Sequence, residues 1–124
     1  MSKQSILYVD DEPDALQSIK AGLQDRGYDV LTAESGDEAL KALKTGFPDL
    51  IIADLRMHPM NGFELLQKVK KIPRFNSTPF FFLTAVDDYM SEKYGQTLGV
   101  DAYIKKPVDL DDLVALIKYK LEPK

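Results

Sequence analysis

Residues 50–54 read Leu-Ile-Ile-Ala-Asp, an apolar run that stops at a carboxylate. Further apolar runs over residues 6–9, 80–83 and 103–104 are also followed by charged or hydroxyl side chains. Apolar residues in succession, rather than in alternation with polar ones, are typical of parallel strands that are covered on both faces. The sequence therefore predicts an α/β sheet with polar groups at the ends of its strands.

Helical patterns fill the intervals between the predicted strands, which indicates repeated βα units. The predicted strands are Ser5–Val9, Asp29–Ala33, 50–53, 80–83 and 102–104. The second is more polar than the others and is predicted to lie at an edge of the sheet. Five such units form a three-layer sandwich around a parallel sheet, for which 2-1-3-4-5 is the commonest strand order.

Each predicted helix has a residue suited to its start. Pro13 fits a first helical position, Ser35, Asn61 and Asp109 are predicted caps, and a weaker helix is predicted over residues 87–98. In the last helix, the apolar spacing predicts four inward-facing residues, namely Leu113, Leu116, Ile117 and Leu121.

The composition limits the class of protein. The chain has 124 residues, no cysteine and a net charge of −4, which favours one domain over residues 1–124 and excludes disulfides and cysteine metal sites. No apolar stretch approaches the ~20 residues that a membrane helix needs, and the start of the chain lacks a signal-peptide core. The negative charge and the short basic runs argue against direct nucleic-acid binding. We expect a soluble cytoplasmic domain.

The acids that follow the first and third strands are predicted to meet. In the order 2-1-3-4-5 these strands are neighbours at the position where such folds bind ligands, so Asp10, Asp11 and Asp54 converge. Two carboxylates about 4 Å apart repel by roughly 4 kcal/mol at an effective dielectric constant near 20. Either one acid stays protonated or a cation joins them. A few oxygen ligands with room for water and phosphate favour Mg²⁺.

Asp54 is the best candidate nucleophile for an aspartyl-phosphate, because it is a lone acid at the end of a buried strand. Each residue taken alone also has a plainer interpretation. Asp10 and Asp11 could compensate the dipole of the first helix, Thr84 could be a strand-end hydroxyl, and Lys106 could be a solvated lysine. Their joint occurrence at successive strand ends favours a common site.

The chain resembles the receiver domain of two-component response regulators over nearly its full length. The matching positions are Asp10-Asp11, Asp54, Thr84-Ala85, Lys106-Pro107 and residues 98–107, which read Leu-Gly-Val-Asp-Ala-Tyr-Ile-Lys-Lys-Pro. The resemblance implies a flavodoxin-like (βα)5 fold and a phosphoacceptor in phosphorelay signal transduction. Apart from self-catalysed phosphoryl transfer and slow autodephosphorylation, no enzyme activity is implied.

The resemblance also implies roles for individual residues. Asp54 would be phosphorylated by a phosphohistidine on a sensor histidine kinase or a histidine phosphotransfer protein. Asp11 and Asp54 would bind Mg²⁺ through their side chains, Asp10 would bind it largely through water, and the backbone carbonyl of Arg56 would be a further ligand. Lys106 would contact the phosphoryl oxygens, and its bond to Pro107 would be cis.

A conformational switch is implied as well. Thr84 would move toward the phosphoryl group, and Tyr103 would enter the vacated space. The face formed by the helix over 87–98, the last strand and the last helix would then change shape for a downstream effector domain or target protein.

The loop after Asp54 departs from the family pattern. Gly62 keeps its place, but Pro59 stands one position later than usual, which predicts an altered loop beside the metal. Arg56 occupies a position that modulates phosphoryl lifetime in the family, in a direction that the sequence leaves open. His58 is predicted to be an ordinary loop residue.

Two other functions are compatible with parts of the pattern. Haloacid-dehalogenase-like phosphohydrolases carry a second acid two residues after the nucleophile, where this chain has Arg56. An unphosphorylated pseudo-receiver would act only as a protein-binding module, which the complete set of site residues disfavours. The cognate kinase, the effector and the oligomeric state stay open.

Overall fold

A parallel sheet forms the centre of the molecule. The computed structural model describes residues 3–84 and 99–122, and in these ranges the sheet has five strands in the order β2-β1-β3-β4-β5. The strands are β1 (Ser5–Val9), β2 (Asp29–Ala33), β3 (Leu50–Asp54), β4 (Phe80–Thr84) and β5 (Ala102–Lys105). The predicted order and the edge position of the second strand are confirmed. The predicted helix over 87–98, Ala85 and the end of the chain lie outside the described residues.

Each described helix begins at, or directly after, the residue predicted for its start. They are α1 (Pro13–Asp25), α2 (Gly36–Thr45), α3 (Gly62–Lys70) and α4 (Leu110–Leu121), with a 3₁₀ turn at Pro73–Phe75. Side-chain oxygens of Ser35, Asn61 and Asp109 accept hydrogen bonds from backbone N–H groups at 3.1, 2.9 and 3.0 Å. These bonds satisfy donors that a helix start leaves without partners. Within the described residues, no helix has the length and apolar character needed to cross a membrane.

Two apolar clusters make the molecule three-layered. One lies between the sheet and helices α1 and α4, and includes Tyr8, Leu16 and Ile117. The other lies between the sheet and helices α2 and α3, and includes Val9 and Leu66. Successive residues of β1 face opposite layers, as side chains of a strand do. The predicted flavodoxin-like sandwich is confirmed.

The inward face of α4 differs from the prediction at one position. Leu116 is 39% exposed, whereas Val114 is only 7% exposed. The residues of α4 that pack into the apolar cluster span one arc of about 100° around the helix, and Leu116 lies outside that arc. They are Leu110, Leu113, Val114, Ile117 and Leu121. The prediction that Leu116 faces inward was wrong because Leu110, Val114 and Leu121 place the centre of the buried stripe on the other side of Leu113.

Strands β3 and β4 each run one residue further than predicted. Asp54 pairs with Leu83, and Thr84 pairs with Lys105, in continuous parallel ladders. The two polar residues are therefore held by the sheet itself, and not by the loops that follow. This fixes their backbones more firmly than the sequence pattern indicated.

Candidate functional site

Three acids meet at the carboxyl edge of the sheet. Strands β1 and β3 are paired up to Val9 and Ala53, so the residues that follow them, Asp10 and Asp54, lie side by side. Each of these and Asp11 offers a carboxylate oxygen, and the three atoms lie within 4.8 Å of one another. Asp10 and Asp54 are 0% and 6% exposed, whereas Asp11 is exposed. The predicted convergence of the acids is confirmed.

Lys106 joins the acids from the end of β5. Its Nζ lies 3.3 Å from Oδ2 of Asp54 and 3.5 Å from Oδ2 of Asp10. Its backbone N–H donates a 2.7 Å hydrogen bond to the carbonyl of Thr84, which fixes the lysine beside the sheet. The Lys106–Pro107 peptide bond is cis, as the resemblance implied. The interpretation of Lys106 as a merely solvated lysine was wrong.

The charges in this cluster shift each other's protonation. Burial raises the pKa of Asp54 above its ordinary value, and the charge of Asp10 adds to the rise, while Lys106 opposes it. Burial by itself lowers the pKa of Lys106, but the charges of Asp54 and Asp10 outweigh burial, so that pKa is raised. The raised pKa of Lys106 fits a cation that is held between two acids, whereas the raised pKa of Asp54 reflects its burial. Lys106 therefore stays charged.

Tyr8, which lies within the apolar run over residues 6–9, belongs to the site. The hydroxyl of Tyr8 donates a 2.7 Å hydrogen bond to Oδ2 of Asp10. The other carboxylate oxygen, Oδ1, accepts the backbone N–H of Glu12 at 3.0 Å. The signal was present in the sequence, because residues two apart on a strand share a face and Tyr8 is two residues before Asp10.

The start of α1 bears on the alternative interpretation of the first acids as helix caps. Glu12 is the capping residue, and its side chain makes no capping hydrogen bond. Asp10 does accept the N–H of Glu12, but its other oxygen faces Tyr8 and Lys106. Asp10 is therefore shared between the turn before α1 and the acidic cluster.

The loop after Asp54 is held against the site by its backbone. The N–H of Arg56 lies 3.4 Å from Oδ1 of Asp54, and the N–H of Gly62 donates to the carbonyl of Leu55 at 2.9 Å. A Cβ atom on Gly62 would lie 2.9 Å from the backbone oxygen of Asp54. Only glycine permits this approach without a backbone shift, which explains a glycine at this place.

The same loop contains the residues that depart from the family pattern. His58 is exposed, in agreement with its prediction as a loop residue, and its peptide bond to Pro59 is cis. Arg56 is also exposed. The effects of the shifted proline on metal coordination and of Arg56 on phosphoryl lifetime stay predictions.

Thr84 and Tyr103 lie on the neighbouring strands β4 and β5. Thr84 ends β4 and is 4% exposed. Tyr103 is half-buried, and its ring centroid lies 5.6 Å from that of Phe82. Phe82 in turn contacts Phe63 of α3, with centroids 5.2 Å apart. Tyr103 thus packs into the layer formed by α2 and α3, and its role as a switch stays a prediction.

The donor set fits a small divalent cation. Three carboxylates and one ammonium leave the ionised cluster with two uncompensated negative charges. Mg²⁺ prefers hard oxygen ligands and usually keeps several waters, so it needs only a few protein ligands. The exposed Asp11 leaves one side of the cluster open to water and phosphate.

Comparisons with known proteins agree with this geometry. A family model for the response regulator receiver domain matches residues 6–118. Response regulator Rre1 of Synechocystis is 38% identical, over 92% of this chain and 50% of that protein. The alkaline phosphatase synthesis transcriptional regulatory protein PhoP of Bacillus subtilis is 35% identical, over 93% of this chain and 47% of that protein. The chain thus spans about half the length of these two relatives.

A solved structure shows the same arrangement of the backbone. The chemotaxis protein CheY4 of Vibrio cholerae superposes with a TM-score of 0.93 at 31% sequence identity. The superposition covers 97% of this chain and 100% of that chain. The likeness therefore extends over the whole sandwich, including the strand ends that carry the acids.

Proposed function

The chain belongs to the receiver domain family of two-component response regulators, and from this premise we propose that Asp54 is its phosphoacceptor. The phosphodonor is a phosphohistidine on a sensor histidine kinase or a histidine phosphotransfer protein in the cytoplasm. The observation that carries the proposal is the position of Asp54, buried at a strand end, 3.3 Å from Lys106 and within 4.8 Å of two further acids.

The transfer step uses Asp54 as the nucleophile. An oxygen of the ionised carboxylate attacks the phosphorus of the phosphohistidine, a P–O bond forms and the P–N bond breaks. The imidazole leaves with the electron pair and takes up a proton from solvent. Because the carboxylate must be ionised to attack, the raised pKa of Asp54 means that less of the reactive form is present at acidic pH than for an ordinary aspartate.

Lys106 and Thr84 receive the phosphoryl group. The ammonium of Lys106 already contacts Asp54, so it meets the phosphoryl oxygens without a large movement and offsets their charge. The hydroxyl of Thr84, at the end of the adjacent strand, donates to another phosphoryl oxygen. Both groups thus stabilise the charge that the transfer brings into the site.

The acidic cluster is the metal site of this proposal. Asp11, Asp54 and the backbone carbonyl of Arg56 would hold Mg²⁺, and Asp10 would hold it largely through water. When bound, Mg²⁺ neutralises charge on the transferring phosphoryl group. The two uncompensated negative charges of the cluster support this assignment.

Phosphorylation changes the output surface through Thr84 and Tyr103. It adds charge and acceptor oxygens beside Thr84, and the movement of Thr84 allows Tyr103 to turn inward. The equilibrium between the inactive and active conformations of the domain shifts only by the free energy with which the phosphoryl group favours the active one. The partner that recognises this form is a downstream effector domain or a target protein.

The proposed unit is one receiver domain over residues 1–124. It is a signalling component and not an enzyme that acts on other substrates, apart from self-catalysed transfer and slow autodephosphorylation. The acids and Lys106 that a phosphoacceptor requires are all present and close together, so nothing favours the pseudo-receiver alternative.

The test is mass spectrometry after incubation with acetyl phosphate and Mg²⁺. We expect a single adduct of about 80 Da, the mass of one phosphoryl group, that requires Mg²⁺ and is absent from Asp54→Asn. Asp25→Asn, which changes an exposed aspartate at the end of α1, is the matched control and should be phosphorylated normally. An adduct that persists in Asp54→Asn would refute the assignment of the phosphoacceptor.

A further inference from the structure

We propose that Tyr8 is a positioning residue of this site, whose hydroxyl holds the carboxylate of Asp10 in the orientation that binds the divalent cation. The inference rests on the proposed function, because it concerns the same metal site. It adds a residue that does not itself touch the metal or the phosphoryl group and that acts through Asp10.

The contact between Tyr8 and Asp10 is short and shielded from solvent. The two oxygens are 2.7 Å apart, and both residues are 0% exposed. A hydrogen bond from a neutral donor to a buried carboxylate is charge-assisted and stronger than one between neutral groups. No buried side-chain nitrogen or oxygen within residues 3–84 and 99–122 lacks a partner, so the hydroxyl is part of a fully satisfied network.

The Tyr8 hydroxyl is the donor in this contact. A tyrosine hydroxyl has one hydrogen to donate, and the 2.7 Å separation directs it to Oδ2 of Asp10.

Tyr8 and the backbone of Glu12 together fix the rotation of the Asp10 carboxylate. Tyr8 binds Oδ2 and the N–H of Glu12 binds Oδ1, so neither oxygen can turn away without the loss of a hydrogen bond. Each carboxylate oxygen has two lone pairs. The second lone pair of Oδ2 faces Lys106, and the second lone pair of Oδ1 is left for the cation or its water. Such outer contacts commonly orient metal ligands.

The hydroxyl also limits the hold of Asp10 on Lys106. Tyr8 makes the shorter contact with Oδ2, at 2.7 Å, while Lys106 lies 3.5 Å from the same atom and 3.3 Å from Asp54. Without the hydroxyl, Lys106 is the remaining side-chain donor at Oδ2 in the described part of the chain. We expect it to move toward Asp10, away from the phosphoacceptor.

A purely structural role for Tyr8 predicts something different. The ring lies in the apolar cluster between the sheet and helices α1 and α4, and phenylalanine keeps that ring. If packing were the whole function, Tyr8→Phe would leave the metal site unchanged. The positioning role predicts a change in metal binding that is specific to the lost hydroxyl.

The experiment measures the Mg²⁺ dissociation constant of the unphosphorylated protein by calorimetry. We expect Tyr8→Phe to weaken Mg²⁺ binding by about tenfold, the lower end of the range for the loss of a partner of a metal ligand. Tyr28→Phe is the matched control, because Tyr28 is also buried and lies at the opposite end of the sheet, just before β2. It should bind Mg²⁺ as the unchanged protein does.

A double-mutant cycle tests whether Tyr8 acts through Asp10. In an Asp10→Asn background, Tyr8→Phe should cause no more than a twofold further change in Mg²⁺ affinity, because the group it positions is already altered. A full tenfold effect in that background would overturn the inference.

A measurement on the unsubstituted protein covers the case that Tyr8→Phe folds poorly. With ¹³C at the ring carbon that bears the hydroxyl, titration with Mg²⁺ should shift the Tyr8 signal and leave the Tyr28 signal in place. Equal shifts, or none at Tyr8 while Mg²⁺ binds, would refute the role of Tyr8 and leave the proposed function intact. Failure of the unchanged protein to bind Mg²⁺ would refute the metal site itself.

Discussion

At the scale of single residues, Asp54 and Lys106 control each other's charge. The pKa of Asp54 is raised because burial disfavours the ionised carboxylate, and the charge of Lys106 counteracts this rise. The nucleophile is thus kept available by a cation 3.3 Å away. Lys106 has this effect before any phosphoryl group arrives, in addition to its proposed contact with the product.

Substitution of Lys106 should expose this effect. In Lys106→Gln, the pKa of Asp54 should rise further, because the ammonium that lowers it is gone. The measurement is a pH titration of the Asp54 carboxyl carbon by NMR in the presence of a chelator. Lys118→Gln, an exposed change on α4, should leave the titration unaltered. A fall in the pKa of Asp54 in Lys106→Gln would contradict the assignment.

The raised pKa of Asp54 also determines the sign of its contribution to stability. The folded protein binds this proton more tightly than the unfolded chain does. The resulting contribution to the free energy of unfolding is fully present below the ordinary pKa of aspartate, and it is lost as the pH rises through the raised value. The ionised nucleophile is therefore present at a cost to stability.

At the scale of elements, the start of α3 supports the acidic site. Asn61 and Glu64 form a reciprocal capping box, with hydrogen bonds of 2.9 and 3.1 Å. Gly62, which directly follows Asn61, packs against the backbone of Asp54. The cap therefore holds both the helix and the loop that carries Arg56, and the helix start is coupled to the site through one glycine.

Loss of this cap should affect both stability and function. Asn61→Ala should lower the free energy of unfolding by about 1 kcal/mol, the usual cost of a lost cap, as measured by denaturant titration. It should also slow phosphorylation by acetyl phosphate several-fold, because the Arg56 loop is less well held.

A cap on another helix provides the control for that variant. Ser35→Ala removes the cap of α2 and should cost a similar free energy with little change in the phosphorylation rate. Equal losses of rate in the two variants would show that the effect follows general stability and not the position of α3.

At the scale of the whole molecule, chemistry and stability are carried by different regions. The charged site occupies the carboxyl edge of the sheet. Away from it, Arg74 in the 3₁₀ turn donates to the carbonyls of Leu43 and Lys44 at the end of α2. Its guanidinium also lies over the rings of Phe47 and Phe75, 4.7 and 5.0 Å from their centroids. Arg74 thus joins the 3₁₀ turn to the end of α2.

Substitution of Arg74 should separate stability from function. Arg74→Ala should reduce the free energy of unfolding by about 1 to 3 kcal/mol, because charged hydrogen bonds to two helix-end carbonyls are lost. The phosphorylation rate, measured well below the melting temperature, should stay within twofold. Arg74→Lys should lose part of the stability, because lysine lacks the planar fork of arginine. A large loss of rate in Arg74→Ala would contradict this division.

The sequence by itself determined the architecture and most of the site. Consecutive apolar residues indicated buried parallel strands, and the order of such strands follows from chirality and short connections. Once the order was known, Asp10, Asp11 and Asp54 had to converge, because parallel strands end at one edge. Capping by Ser35 and Asn61 was also predictable, because capping depends on local sequence.

Only the tertiary structure decided the contacts between side chains that are distant in sequence or hidden in an apolar pattern. The hydrogen bond from Tyr8 to Asp10, the exposure of Leu116 and the attachment of Arg74 to the end of α2 belong to this class. Periodicity reports which face a residue occupies and not which atoms it meets there. Those partners depend on the packing of neighbouring layers, and so they become visible only when the chain is folded.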